Sequence, residues 1–278
     1  MSRLALASCL ALVLGASGCN RLFYFPSDRL YSVPRAEHRD VLFRTADGVE
    51  LHAWYFPPRG GAKPRGTFVQ FHGNAGNLTS HHRSLVWVTE HDYALFSFDY
   101  RGYGRSGGAP TRAGVHLDAL AAIDWTLERA PGGGAPRDVV LYGQSLGGAV
   151  LLRAFDDVRE RARVRAVIIE SSFHSYEEVA ASVLWRHPLL APFTGFGFAL
   201  VSDAYSPAAS VARVSPIPLL VLHDVYDPVV PWRFGAAIHG LGRAPKTFWV
   251  THRGGHAQSA EDLDLRRALL AWIEAAPP

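Results

Sequence analysis

"YGQSLGG" spans residues 142–148 and centres on Ser145 in a Gly-x-Ser-x-Gly pattern. A nucleophilic serine needs a sharp strand-to-helix turn, small neighbours that let the backbone fold tightly, and a helix that starts at once. The free N–H groups and positive dipole end of that helix then face an oxyanion forming at the serine. The apolar run "DVVLY" (138–142) reads as the strand, and Gly143, Gly147 and Gly148 relieve the crowding. "LGGAVLLRAFDDV" (146–158) puts Leu146, Ala149, Val150, Leu152 and Ala154 on a buried helix. "YGRSGG" (103–108) has the same spacing around Ser106, and the chain holds 26 Gly, so the pattern alone does not choose between the two. "GGAPTRAG" follows Ser106 with Pro110 and Gly114, and no helix begins beside the serine. "DYRGYGRSGG" (99–108) therefore reads as a mobile glycine-rich loop, and Ser145 as the candidate nucleophile.

Outward from Ser145 the chain alternates. Short, nearly continuous apolar runs occur at 67–71, 93–98, 138–142, 164–170, 218–223 and 246–251, which suits strands buried on both faces. Helical spacing fills 78–90, 115–129, 146–158, 232–241 and 260–275. This order predicts an α/β fold with a mostly parallel, doubly wound sheet. "HRDVLFRTADGVELHAWYFPP" (38–58) adds an N-terminal antiparallel hairpin that turns at Asp47-Gly48. The segment 171–206 breaks the alternation and is rich in aromatics, among them Phe173, Tyr176, Trp185, Phe193, Phe196, Phe198 and Tyr205. It is expected to form a small helical lid over the strand ends, where the chemistry of such sheets sits.

A serine hydroxyl is a weak nucleophile and needs a base, itself oriented by an acid. In chain order serine, acid, histidine, the acid comes from "LHDVYDPVVP" and the base from "THRGGHAQS". Asp227 precedes Pro228 and can turn back to the sheet edge, whereas Asp224 sits closer to the strand and is expected to cap the turn. His256 follows the flexible Gly254-Gly255 pair, while His252 ends the strand. The i, i+4 spacing of the two histidines would suit zinc on a helix, but the glycines argue against a helix there. The oxyanion site needs two backbone N–H donors, and Leu146 and Asn74, in "HGNAGN" (72–77), are the candidates. His72 is expected to orient that loop.

The N-terminus reads differently. The apolar run from Leu4 to about Ala16 is too short to span a bilayer comfortably. It fits a secretory signal, and "ASGC" then ends at Cys19. This resembles a bacterial lipobox, which implies removal of residues 1–18 and lipidation of Cys19. Asn20 leans toward the outer membrane, facing the periplasm. Of the two Cys in the chain, Cys9 lies in the segment to be removed, so none is left for a disulfide. Residues 19–37 would form the anchor and linker, and 38–278 the main domain. The formal charge of +3 and the scattered arginines argue against nucleic acid as a partner, and "RERARVR" (159–165) reads as a solvated helix end.

"FHGNAGN", "DYRGYGRSGG", "GQSLGG", "HDVYDPVVP" and "GGH" together resemble the successive motifs of the α/β-hydrolase superfamily over about residues 38–275. "HGNAGN" with "DYRGYG" is similar to its BEM46-like branch, with the ABHD13- and ABHD17-type serine hydrolases and bacterial lipoprotein relatives. The acid motif departs from the commoner His-Gly start, reading His223-Asp224. The resemblance implies hydrolysis of an acyl ester or thioester through an acyl-enzyme, with Ser145, His256 and Asp227 as triad and with no metal or organic cofactor. An amidase or peptidase is the alternative within enzymes, and a non-catalytic lipid-binding lipoprotein is the alternative outside them. The fold leaves substrate and oligomeric state open.

Overall fold

The computed structural model describes residues 24–129, 138–186 and 201–276. Eight strands form one sheet: β1 Arg39–Arg44, β2 Glu50–Phe56, β3 Gly66–Phe71, β4 Tyr93–Phe98, β5 Val139–Gln144, β6 Val164–Glu170, β7 Leu219–Asp224 and β8 Lys246–Thr251. Their order is β8-β7-β6-β5-β3-β4-β2-β1. The hairpin β1–β2 and the β2–β4 pair are antiparallel, and the remaining pairs are parallel. The expected doubly wound sheet with its antiparallel edge is therefore present.

The apolar runs stay unbroken because both faces are covered. Five helices longer than two turns stand among the described residues: α1 Arg112–Arg129, α2 Leu146–Ala154, α3 Tyr176–Arg186, α4 Arg233–Leu241 and α5 Leu263–Ala275; α1, α2, α4 and α5 cover the sheet, and α3 lies in the insertion after β6. Val69, Phe71, Phe96, Leu141, Val167, Ile169 and Val221 share one core with residues of α1, α2 and α4. Phe68, Leu95, Val140, Tyr142, Ile168 and Leu220 share the other with Leu269 and Ile273 of α5. Alternate residues of β3 to β7 thus point to opposite faces and are buried on both, whereas the edge strands β1 and β8 leave residues such as Leu42 and Val250 exposed.

The helix expected over 78–90 is different. One α turn, Leu78–His81, is capped by Asn77 and gives way to 3-10 turns at His82–Ser84 and Val86–His91. A continuing helix would need the His81 carbonyl to accept from the Leu85 N–H. Gln70 Nε2 and Ser84 Oγ occupy that carbonyl at 2.9 and 3.0 Å, and the Leu85 N–H bonds to His82 instead.

Of the expected lid, α3 and the return at 201–206 are described. Phe193, Phe196 and Phe198 lie outside the described residues, as do the signal segment and Cys19. Asp203 Oδ1 accepts from Ser175 Oγ, Glu177 N–H and Ser206 Oγ, so the two stems of the insertion are tied together. No helix among the described residues is long and apolar enough to cross a membrane.

Candidate active site

Ser145 sits between the end of β5 and the start of α2, with φ 53° and ψ −121°. This backbone conformation is costly for a residue with a side chain and persists only when its surroundings fix it. Here they do. Ser145 N–H bonds to the Glu170 carbonyl at 2.9 Å, and the Ser145 carbonyl accepts from Ser172 Oγ at 2.7 Å. A Cβ at Gly147 would overlap the Phe71 carbonyl oxygen, and one at Gly143 would lie 2.6 Å from Gly148 Cα. The glycines of the motif are therefore required by the close approach of β3, β5 and α2. Ser145 itself is half-buried.

Asp227 and His256 meet at the same end of the sheet. His256 Nδ1 lies 2.8 Å from Asp227 Oδ2 and 3.1 Å from Oδ1. The Asp227 carboxylate is buried and also accepts from Val229 N–H and Val230 N–H at 2.8 and 2.9 Å. Burial alone would raise its pKa. The His256 bond and the two N–H donors outweigh that and hold it below the usual carboxylate range. Gln144, the residue before Ser145, reaches the carbonyl of Ala257, the residue after His256, at 3.3 Å. The serine turn and the histidine loop are thus in direct contact.

Asp224, the competing carboxylate, does something else. It accepts from Tyr226 N–H, Thr251 Oγ1, Arg253 N–H and Gly254 N–H. It ties the acid loop to the histidine loop without touching His256. His223 Nε2 bonds to the Val230 carbonyl at 2.9 Å and closes the acid loop from inside. His252 is exposed beside the Tyr226 ring. Among the described residues no cluster of His, Cys, Asp or Glu is placed to hold a metal ion.

The loop after β3 lies against the serine. A Cβ at Gly73 would be 3.7 Å from that of Ser145. The Asn74 side chain turns away, its Oδ1 accepting from Phe25 N–H at 2.9 Å and the Tyr103 hydroxyl at 3.1 Å. Leu146 is buried and is the first residue of α2, one of the positions whose N–H has no partner within its helix. His72 is fully buried, with Nδ1 2.7 Å from the Gly73 carbonyl and its ring stacked 5.0 Å from that of His81. His81 Nε2 holds the Ala75 carbonyl at 2.7 Å. The loop is therefore shaped by two histidines, of which the sequence pointed to one.

The loop 99–108 is not the loose segment its glycines suggested. Tyr100 and Tyr103 are fully buried, and the Arg101 guanidinium bonds both Asp47 and Asp118. Ser106 Oγ donates to the Asp99 carbonyl at 2.8 Å and accepts from His52 N–H at 2.9 Å. Two clefts of about 770 and 840 Å³ lie elsewhere: beside Leu42 and Trp125, and beside Arg35 and Trp87.

A family model described as "Serine aminopeptidase, S33" matches residues 62–196. The chain is 35% identical over 267 residues to the uncharacterized protein YfhR of Salmonella typhi, covering 91% of this chain and 87% of that one. It is 28% identical over 234 residues to protein bem46 of Schizosaccharomyces pombe, covering 81% and 74%. It is 33% identical over 213 residues to lysophosphatidylserine lipase ABHD12 of Xenopus tropicalis, covering 72% of this chain and 52% of that one.

Proposed function

The chain belongs to the BEM46-like branch of the α/β-hydrolase serine hydrolases, and from that premise we propose that it cleaves carboxylic esters or thioesters through an acyl-enzyme. Ser145 Oγ attacks the acyl carbonyl while His256 Nε2 takes the hydroxyl proton. Asp227 fixes the tautomer that leaves Nε2 free to accept, and its charge stabilises the imidazolium that forms. The backbone N–H groups of Asn74 and Leu146 receive the oxyanion. His256 then returns the proton to the departing alcohol or thiol. Water enters, gives its proton to His256 and releases the acid, restoring Ser145.

One observation carries this reading: the His256–Asp227 pair at 2.8 Å, joined to the Ser145 turn through the Gln144–Ala257 contact. The ester preference draws on the lipase among the relatives. The matching family model carries a peptidase name, so peptide bonds are the second reading. p-Nitrophenyl esters and p-nitroanilides of the same acyl group separate the two. Faster turnover of the ester by more than the intrinsic reactivity ratio is expected, and the reverse would favour a peptidase. Ser145→Ala should lower ester turnover by about 10⁴- to 10⁶-fold; unchanged turnover would remove the reading.

We place the enzyme on the cell envelope through a lipidated Cys19, on the outer membrane facing the periplasm. Labelled palmitate should enter the wild type and not Cys19→Ala. Equal labelling would contradict the anchor.

A further inference from the structure

A row of buried polar side chains crosses the sheet directly beneath the serine turn. Ser97 Oγ on β4 donates to Gln70 Oε1 on β3 at 2.9 Å. Gln70 Nε2 donates to Gln144 Oε1 on β5 at 3.1 Å, and Gln144 Nε2 to Glu170 Oε2 on β6 at 2.8 Å. The Tyr142 hydroxyl reaches the same Glu170 oxygen at 2.9 Å. The other oxygen, Glu170 Oε1, accepts from Ser259 N–H at 2.7 Å, three residues beyond His256. At its opposite end the row meets the oxyanion loop, since Gln70 also holds the His81 carbonyl and His81 holds the carbonyl of Ala75.

Ser97, Gln70 and Glu170 are fully buried and Gln144 nearly so. Burying a carboxylate is expensive unless several donors reach it. The residues beside it on β6 and β7 are Ile, Val and Leu, so its polar contacts run to β5 and to the loop beyond His256. The carboxylate does not touch His256, whose acid partner is Asp227. What it reaches is the nucleophile strand on one oxygen and the histidine loop on the other.

We propose that Glu170 is a positioning residue that fixes the histidine loop at the distance from Ser145 that proton transfer requires. The inference rests on the triad reading above and goes beyond it. A carboxylate suits the task because it only accepts, on two oxygens, and three donors converge on it. An amide offers a single oxygen. In Glu170→Gln one side of the amide must therefore present N–H to a donor, either Gln144 or Ser259. The clamp opens on that side while shape and volume are kept.

The test is steady-state ester hydrolysis by the full chain, with active sites titrated by a fluorophosphonate. In Glu170→Gln, kcat per titrated site should fall about 10- to 100-fold, the scale of a misplacement near 1 Å, with KM within about twofold. A carboxylate that merely held the fold would lower the titratable fraction or the melting temperature and leave kcat per titrated site at the wild-type value. That result would overturn the inference. Glu170→Asp keeps the acceptors and should recover part of the loss. If Glu170→Gln does not fold, Gln144→Met reads the same clamp from the other side: a fall of about tenfold or more supports it, and wild-type kcat per titrated site overturns it. A wild-type chain that is neither labelled nor active would overturn the triad reading and this inference together. An active wild type with an unaffected variant overturns this one alone.

Discussion

Ser106 in YGRSGG and Ser145 in YGQSLGG each follow a central strand, β4 and β5, and each is framed by glycines. Their hydroxyls have different uses. Ser106 is spent on its own loop, donating to the Asp99 carbonyl and accepting from the His52 N–H. Ser145 is held at φ 53° through its backbone, whose N–H donates to the Glu170 carbonyl and whose carbonyl accepts from the Ser172 hydroxyl. The first turn uses its serine as a peg. The second uses its backbone to present the serine. What separates them is the residue that follows each serine: Leu146 opens a helix, and Gly107 does not.

Substitutions can break this contrast. The largest effect after loss of Ser145 itself is expected from Asp227→Asn. It keeps the shape but favours the wrong imidazole tautomer, so kcat should fall by about 10³- to 10⁴-fold with little change in melting temperature. A fall of less than tenfold would mean that another group orients His256. Ser106→Ala should do the opposite. It leaves the His52 N–H without its partner, costing about 1–3 kcal/mol of unfolding free energy by urea titration. Its kcat should stay within about threefold of wild type. A large loss of turnover at unchanged stability would reverse the roles of the two serines.

The smallest effect concerns the loop that carries Asn74. Burial, with the neighbouring His72, lowers the His81 pKa from its ordinary 6.5 to about 4. Between those values the unfolded chain binds more protons than the folded one, so stability must fall as pH drops from 6.5 toward 4. His81→Gln should flatten that decline, read as urea midpoints at pH 7 and pH 4.5. Other histidines share the direction of the shift, among them His82, His116 and His223, so a shallower slope is expected rather than a flat one. An unchanged slope would show that His81 is hydrated.

The sheet was legible because its inner strands are buried on both faces and leave nearly continuous apolar runs. The proposed serine, acid and histidine stand out because each follows a strand in the order expected, and the structure places His256 Nδ1 2.8 Å from Asp227. Two features were not legible. The segment 78–90 has helical spacing in its second half, yet Gln70 from β3 takes the carbonyl that a helix needs, and no local pattern reports a side chain arriving from a distant strand. Glu170 looks like an ordinary polar residue ending an apolar run. Its meaning depends on Gln144 and Ser259, 26 and 89 residues away. A signal existed all the same: Gln70, Ser97, Gln144 and Glu170 each interrupt or end an apolar strand near its carboxyl end.

The proposed nucleophile is Ser145 and not its counterpart in the other glycine turn. Its most direct test is to react the full chain with a fluorophosphonate, digest it and locate the adduct by mass spectrometry. One phosphonylated peptide is expected, modified at Ser145, with ester turnover lost in proportion to labelling. An adduct on Ser106, or full ester turnover in a chain whose Ser145 is completely labelled, would contradict it.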